Sequence, residues 1–167
     1  MVPVSEKTMT PRVAVLIPCY NEEAAIAAVI GDFQAALPQA VIYVYDNNSR
    51  DQTCARARAA GAIVRREARQ GKGNVVRRMF ADIEADIYVL VDGDDTYDAG
   101  AAPRMIRQML ADGADLLTAR RIHSHADAYR PGHVVGNRML TGLTSALFRV
   151  KLSDMLSGYR VFSRRFV

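Results

Sequence analysis

The chain has 167 residues and a mass of 18.4 kDa, enough for one domain with one core and too little for two. Hydrophobic residues make up 50% and charged residues 24%, ordinary for a globular protein; no run reaches the roughly 20 apolar residues that span a bilayer, and Met1 to Arg12, with Glu6, Lys7 and no apolar stretch, is not a secretory signal. The net charge of +4 and pI near 9.3 suit anionic partners, such as nucleotide diphosphates, lipid phosphates or an anionic membrane face, while basic residues without interleaved aromatics argue against nucleic acid.

These features place the chain in the cytoplasm, with residues 1–11 disordered or extended and one domain over residues 12–167. Cys19 and Cys54 form no C-x-x-C pair, so neither a disulfide framework nor a zinc site is expected.

The elements alternate along the chain. Val13–Ile17 reads as a buried strand closed by Pro18. Asn21 is positioned to cap a helix that starts at Glu22-Glu23, where carboxylates favour the helix dipole, and that runs to about Ala36. Val41–Tyr45 is a second strand. A polar turn over Asp46–Asp51 follows, and Asp51 or Ser49 can cap a helix Thr53–Ala60, with Gly61 at its C′ position. Ile63-Val64 is a third strand, and Gly71–Gly73 opens a helix to about Ile83. Ile87–Val91 is nearly all apolar, as a central parallel strand is. A helix over Pro103–Ala111, Gly113 and a strand Leu116–Thr118 come next. His123–His133 reads as a loop, Gly136–Val150 as a helix with an apolar stripe, and Tyr159–Ser163 as a last strand. Strand and helix alternating at this spacing predict an α/β domain with a mostly parallel sheet flanked by helices.

In such a sheet ligands bind beyond the carboxyl ends of the strands. Polar clusters follow the first, second and fourth strands: Pro18–Glu22, Asp46–Asp51 and Asp92–Asp95. Asp92, Asp94 and Asp95 crowd three carboxylates into four residues, costly without a cation, and oxygen donors suit Mg²⁺ or Mn²⁺. Gly93 would let the backbone approach the ligand. Gly71-Lys72-Gly73-Asn74 opens a helix and can offer N–H groups and Lys72 to a phosphate, although the P-loop spacing is absent. His123-x-His125 lacks a third ligand and reads as a solvated loop. His133, after Pro131-Gly132, is within reach of donor phosphates if that loop closes.

Ile17–Glu23 resembles the "P-x-Y-N-E" opening of family 2 glycosyltransferases of the GT-A fold. Tyr45–Thr53 resembles their "V-D-D-G-S-x-D-G-T" segment, Asp92-Gly93-Asp94 their D-x-D, and Asp154–Arg160 the "D-x-T-S-G-F-R" of polyprenyl-phosphate sugar transferases of the dolichyl-phosphate mannosyltransferase type. The resemblance covers about residues 12–167. It implies that Pro18, Tyr20 and Glu22 line the nucleotide pocket and that Asp46, with Asn48 beside it, contacts the base. Asp92 would lie near the ribose and diphosphate, Asp94 and Asp92 would be the metal ligands, and Lys72 would lie near the donor. Arg160 with Arg138 or Arg121, and Ser157, would hold the acceptor phosphate, and Asp154 would orient Arg160. Two departures stand out. Asn47-Asn48 replaces the usual Asp-Gly, and Thr96 stands where a Gln is common, which leaves the second metal ligand open.

The implied reaction is an inverting transfer from a UDP- or GDP-sugar. A hydroxyl acceptor needs a general base, and the "E-D" pair that supplies one is missing. That absence, together with Arg160, favours a polyprenyl phosphate acceptor and work at the inner face of the plasma membrane. The alternatives are transfer to a saccharide hydroxyl, a sugar nucleotidyltransferase, which would need a glycine-rich loop after the first strand, and a non-catalytic nucleotide-sugar-binding module. Polyprenyl-phosphate transferases usually continue past the last strand, so this chain is expected to be a fragment of a longer protein.

Overall fold

Short apolar runs and amphipathic helices build a six-stranded sheet in the computed structural model, which describes residues 10–119 and 157–167. The order is β1 (Val13–Cys19), α1 (Ile26–Ala36), β2 (Val41–Asp46), α2 (Thr53–Ala59), β3 (Ile63–Arg66), α3 (Lys72–Asp82), β4 (Ile87–Leu90), a 3₁₀ turn (Ala99–Ala101), α4 (Ala102–Asp112), β5 (Leu116–Thr118) and β6 (Arg160–Ser163). In space the strands run β3-β2-β1-β4-β6-β5. β1 to β4 are mutually parallel, as expected, and β6 is inserted between β4 and β5 antiparallel to both.

Strand alternation divides the core between two faces. Val15, Ile17, Ile42, Val44, Val89 and Val161 face α1, α2 and α4. Ala14, Leu16, Tyr45, Tyr88, Leu90 and Phe162 face Val75 and Met79 of α3. On α1 the buried residues are Ile26, Val29, Ile30 and Phe33, and on α4 they are Ala102, Met105, Ile106 and Met109, a one-sided helical stripe in each case. Full burial of each large side chain contributes roughly 1.5–3 kcal/mol.

Two local expectations are corrected, and one choice is resolved. β1 does not close at Pro18 but continues to Cys19, paired with β2 through Pro18↔Tyr45 and Cys19↔Asp46. Its ladder with β4 stops at Leu16↔Leu90, just before the proline that cannot donate. α1 begins at Ile26 rather than Glu22, and no side chain caps it. Asn21 instead takes a left-handed φ of 55°. At α2, Asp51 accepts from the Thr53 N–H (3.0 Å), whereas Ser49 accepts from Asn21 N–H (2.9 Å). Gly61 ends that helix with φ 89°, as expected. Among the described residues no helix is long and apolar enough to cross a membrane. The helix expected over 136–150 and the histidine loop lie outside the described residues.

Candidate active site at the carboxyl rim of the sheet

Because β1, β2 and β4 run parallel, the segments that follow them emerge at one rim, and the antiparallel β6 starts there too. Cross-loop hydrogen bonds lace the first two segments together. Glu22 N–H donates to Thr53 Oγ1 (2.8 Å), Glu23 N–H to Asp51 Oδ2 (3.1 Å), Arg50 N–H to Asn21 Oδ1 (2.9 Å) and Asn47 N–H to the Cys19 carbonyl (2.8 Å). The non-glycine residues with positive φ among those described, Asn21, Asn48 and Asp95, all lie in these rim loops. Such conformations concentrate where a backbone is shaped for a ligand.

Asn47 ties the rim to the segment before α3. It is buried; its amide donates to the carbonyls of Glu67 and Arg69 (2.8 Å each), and its Oδ1 accepts from Gly71 N–H (2.7 Å). Asn48, read from the sequence as a base contact, spends its amide on the Ala68 carbonyl (3.0 Å) and Gln70 Oε1 (3.1 Å), while its Oδ1 accepts from Arg66 (3.1 Å). Asp46 is buried and accepts from Ser49 N–H (3.1 Å).

The tie brings the start of α3 to the end of β4. Lys72 Nζ forms an ion pair with Asp92 Oδ1. Asp94 is exposed, and its Oδ1 accepts from Thr96 N–H (3.2 Å). The Glu22 carboxyl is pushed above its ordinary range, first by burial and then by the charges of Asp94, Asp92 and Asp51. Glu22 therefore belongs to the same electrostatic cluster as Asp92 and Asp94. Tyr20 is 49% exposed at the rim, and Pro18 is buried.

Gly93 meets a packing demand. A Cβ there would lie 2.8 Å from Cys19 Sγ, so the glycine makes room for a core thiol. Cys19 is buried, and burial, more than Glu22 and Asp46, pushes its thiol pKa up. It is a packing residue and not a nucleophile.

The β6 end completes the rim. Ser157 is buried; its hydroxyl accepts from Tyr159 N–H (3.3 Å) and its carbonyl accepts from Arg160 Nε (3.0 Å). The Ser157 hydroxyl, read from the sequence as an acceptor contact, helps shape this turn, and Arg160 of the same motif is half-buried at the rim. Gly158 and Tyr97 were not singled out from the sequence, yet the Gly158 backbone lies on the Asp92 carboxylate and donates to Tyr97 Oη. Arg121, Arg138, His123, His125, His133 and Asp154 lie outside the described residues.

Among the described residues no group of three or more His, Cys, Asp or Glu side chains is placed to hold a metal ion. Asp92 and Asp94 offer two hard oxygen donors two residues apart, and the Glu22 carboxyl is near enough for their charges to raise its pKa. That donor set fits Mg²⁺ or Mn²⁺, which use one or two carboxylates and take the remaining ligands from water and substrate phosphates.

Comparison with known proteins adds to this geometry. The family model described as "Glycosyl transferase family 2" matches residues 14–167. Protein RfbJ of Shigella flexneri is 53% identical over 123 residues, covering 73% of this chain and 95% of RfbJ. A dolichyl-phosphate hexose transferase of Haloferax volcanii is 30% identical over 151 residues, covering 90% of this chain and 66% of the relative. The crystal structure of Mycobacterium tuberculosis glucosyl-3-phosphoglycerate synthase in complex with Mn²⁺, UDP-glucose and phosphoglyceric acid superposes with a TM-score of 0.75 at 27% identity, covering 93% of this chain and 57% of that one. The chain spans about half or less of several other curated relatives.

Proposed function

The chain belongs to glycosyl transferase family 2, and we propose that it catalyses an inverting, divalent-metal-assisted transfer of a sugar from a nucleoside-diphosphate sugar to a polyprenyl phosphate. The observation that carries this reading is the meeting of Asp92, Asp94, Glu22 and Lys72 at the carboxyl rim of a parallel sheet, with Arg160 at the same rim.

In this reading Pro18, Tyr20, Glu22 and Asp46 form the nucleotide side of the pocket. Asp94 and Asp92 would hold Mg²⁺ or Mn²⁺, which supplies a positive charge to offset the one that builds on the departing diphosphate. Lys72 brings a second positive charge to the same oxygens. A phosphate acceptor is already an anion near neutral pH and needs no base to remove a proton. The acceptor side therefore has to bind and aim, the task assigned to the Arg160 guanidinium. The similarity to a dolichyl-phosphate hexose transferase supports the lipid phosphate, and such an acceptor would put the protein at the inner face of the plasma membrane. The donor is supported by the structural neighbour bound to UDP-glucose. That neighbour's complex with phosphoglyceric acid favours a second reading, transfer to a hydroxyl of a small anionic acceptor.

The test offers UDP-glucose or GDP-mannose with Mn²⁺ to the chain, together with a short polyprenyl phosphate, 3-phosphoglycerate or an oligosaccharide, and follows products by mass spectrometry. The expected product is the glycosylated polyprenyl phosphate, lost with EDTA and in Asp94→Ala. Product on the small acid or the saccharide alone would overturn the acceptor. Failure of the folded chain to bind either nucleotide would overturn the whole reading.

A further inference from the structure

The turn before β6 joins the two sides of the rim at one glycine. A Cβ on Gly158 would lie 2.7 Å from Asp92 Cγ and 3.1 Å from Oδ1, and closer still to Oδ2. Any side chain there would have to displace the carboxylate, so the backbone of residue 158 lies flush against Asp92. The Gly158 N–H donates to Tyr97 Oη at 2.8 Å. Tyr97 is three residues beyond Asp94 and thus on the same segment as the carboxylates. Its ring packs on Tyr159 with centroids 5.5 Å apart, and Tyr159 in turn meets Phe33 of α1 edge-on at 5.9 Å. The phenol ring is therefore braced by the core, and its hydroxyl is presented at a fixed place. On the other side of Gly158, the Ser157 carbonyl accepts from Arg160 Nε at 3.0 Å. One short backbone stretch touches Asp92 at one point and holds Arg160 at the next.

We propose that Tyr97 is a positioning residue for the transfer. Its hydroxyl pins Gly158 against Asp92, and so fixes the donor-side carboxylate and the acceptor-side guanidinium in a single frame. The inference rests on the proposed roles of Asp92 and Arg160. Without the Tyr97 hydroxyl the turn is free to lift from Asp92, and the carboxylate loses the surface that sets its orientation toward a cation. The fold need not change, because the ring that packs on Tyr159 remains in Tyr97→Phe.

The experiment compares wild type, Tyr97→Phe and Gly158→Ala by calorimetric titration of UDP or GDP, whichever the wild-type chain binds, with Mn²⁺ and again with EDTA, alongside thermal melts. Loss of one hydrogen bond to a backbone N–H corresponds to a weakening of about three- to tenfold. Tyr97→Phe is expected to weaken Mn²⁺-dependent nucleotide binding by that factor, to leave binding in EDTA unchanged and to melt within a few degrees of wild type. Gly158→Ala, which presses on the carboxylate directly, is expected to lose more than tenfold of the Mn²⁺-dependent binding. Wild-type binding that responds to Mn²⁺ but is unaltered in Tyr97→Phe, or weakened equally with and without the ion, would overturn the inference alone. A wild-type chain with no Mn²⁺-dependent binding would overturn the donor-site reading and this inference with it.

Discussion

Lys72 and Asp92 meet as an ion pair that joins the first residue of α3 to the segment just beyond β4. The two side chains keep 50% and 27% of their exposure, so the pair is partly solvated and worth roughly 0–1 kcal/mol. A contact that weak can open when a cation reaches Asp92 or a diphosphate reaches Lys72. Lys72→Met removes the competitor for the carboxylate and also the charge meant for the donor. Nucleotide-free protein should therefore bind Mn²⁺ about two- to fivefold more tightly. Nucleotide in the presence of Mn²⁺ should bind about tenfold more weakly, the loss of one charge-assisted contact. Calorimetry reads both, and an unchanged Mn²⁺ affinity would rule out competition between Lys72 and the ion.

Gly93 is required by packing, and that requirement can be relieved. Gly93→Ala places a methyl 2.8 Å from Cys19 Sγ, while the next neighbours, Ile17 Cγ2 and Ile26 Cδ1, stand at an ordinary 3.5 Å. Overpacking of this kind costs about 1–3 kcal/mol. Cys19→Ala removes the sulfur, so the double variant should be more stable than the sum of the two single losses predicts. Urea denaturation of the four proteins measures the coupling, and strict additivity would show that the methyl is accommodated elsewhere.

Asn47 departs from the aspartate usual at its position in the family, and the departure has a structural reason. Its amide donates to two carbonyls and its oxygen accepts one N–H, all in a buried setting. Asn47→Asp keeps the acceptor, deletes both donors and turns a carboxylate oxygen toward the carbonyls of Glu67 and Arg69. The family-like residue should thus destabilise this chain, by about 2–4 kcal/mol. It should also weaken nucleotide binding, since the segment that delivers Lys72 loosens. A lower urea midpoint at unchanged slope, with a raised nucleotide Kd, is the expected pair of results.

Much of this architecture is legible in local sequence, because apolar runs bounded by Gly, Pro and Asp leave little choice of strand. Leu116–Thr118 is bounded in the structure as it reads in the sequence, after Gly113 ends α4. The clustering of Pro18–Glu22, Asp46–Asp51 and Asp92–Asp95 is legible too, since a parallel sheet gathers the carboxyl ends of its strands at one rim. The start of α1 is not legible. Capping rules favour Glu22 and Glu23 in its first turn, but their N–H groups go to Thr53 and Asp51 on another loop. The contact of Gly158 with Asp92 is hidden for a related reason. It arises from β6 entering antiparallel beside β4, which brings Gly158 to Tyr97 across 61 residues. Periodicity carries no signal of that insertion.

The far end of α3 is anchored by charge, and the anchor predicts an acid-sensitive contribution to stability. Asp82 Oδ2 accepts from Arg78 Nε (2.8 Å) and from Tyr45 Oη (2.9 Å), and Arg65 lies 3.5 Å away while donating to the same tyrosine oxygen (3.1 Å). The Arg78 hydrogen bond, more than the Tyr45 hydrogen bond and the nearby guanidinium charges, holds the Asp82 carboxyl below its ordinary value of 3.8. A carboxyl depressed in the folded state stabilises the fold at every pH above its unfolded pKa, and that contribution disappears as pH falls through the lower, folded value. Asp82→Asn should therefore melt below wild type at pH 7, with a gap that stays constant down to about pH 5 and closes toward pH 3. Thermal melts of both proteins across that range measure the gap. A gap that persisted undiminished at pH 3 would mean that the network acts through the shape of the side chain rather than its charge. The same anchor holds α3 on β2 by way of Tyr45, whose phenol is pushed upward in pKa chiefly by burial. Loss of Asp82 should accordingly reach the donor side of the rim only weakly, because Lys72 at the opposite end of α3 is placed by Asn47 and Gly71. Nucleotide affinity in Asp82→Asn within about twofold of wild type at pH 7, where the chain remains folded, is the matching expectation.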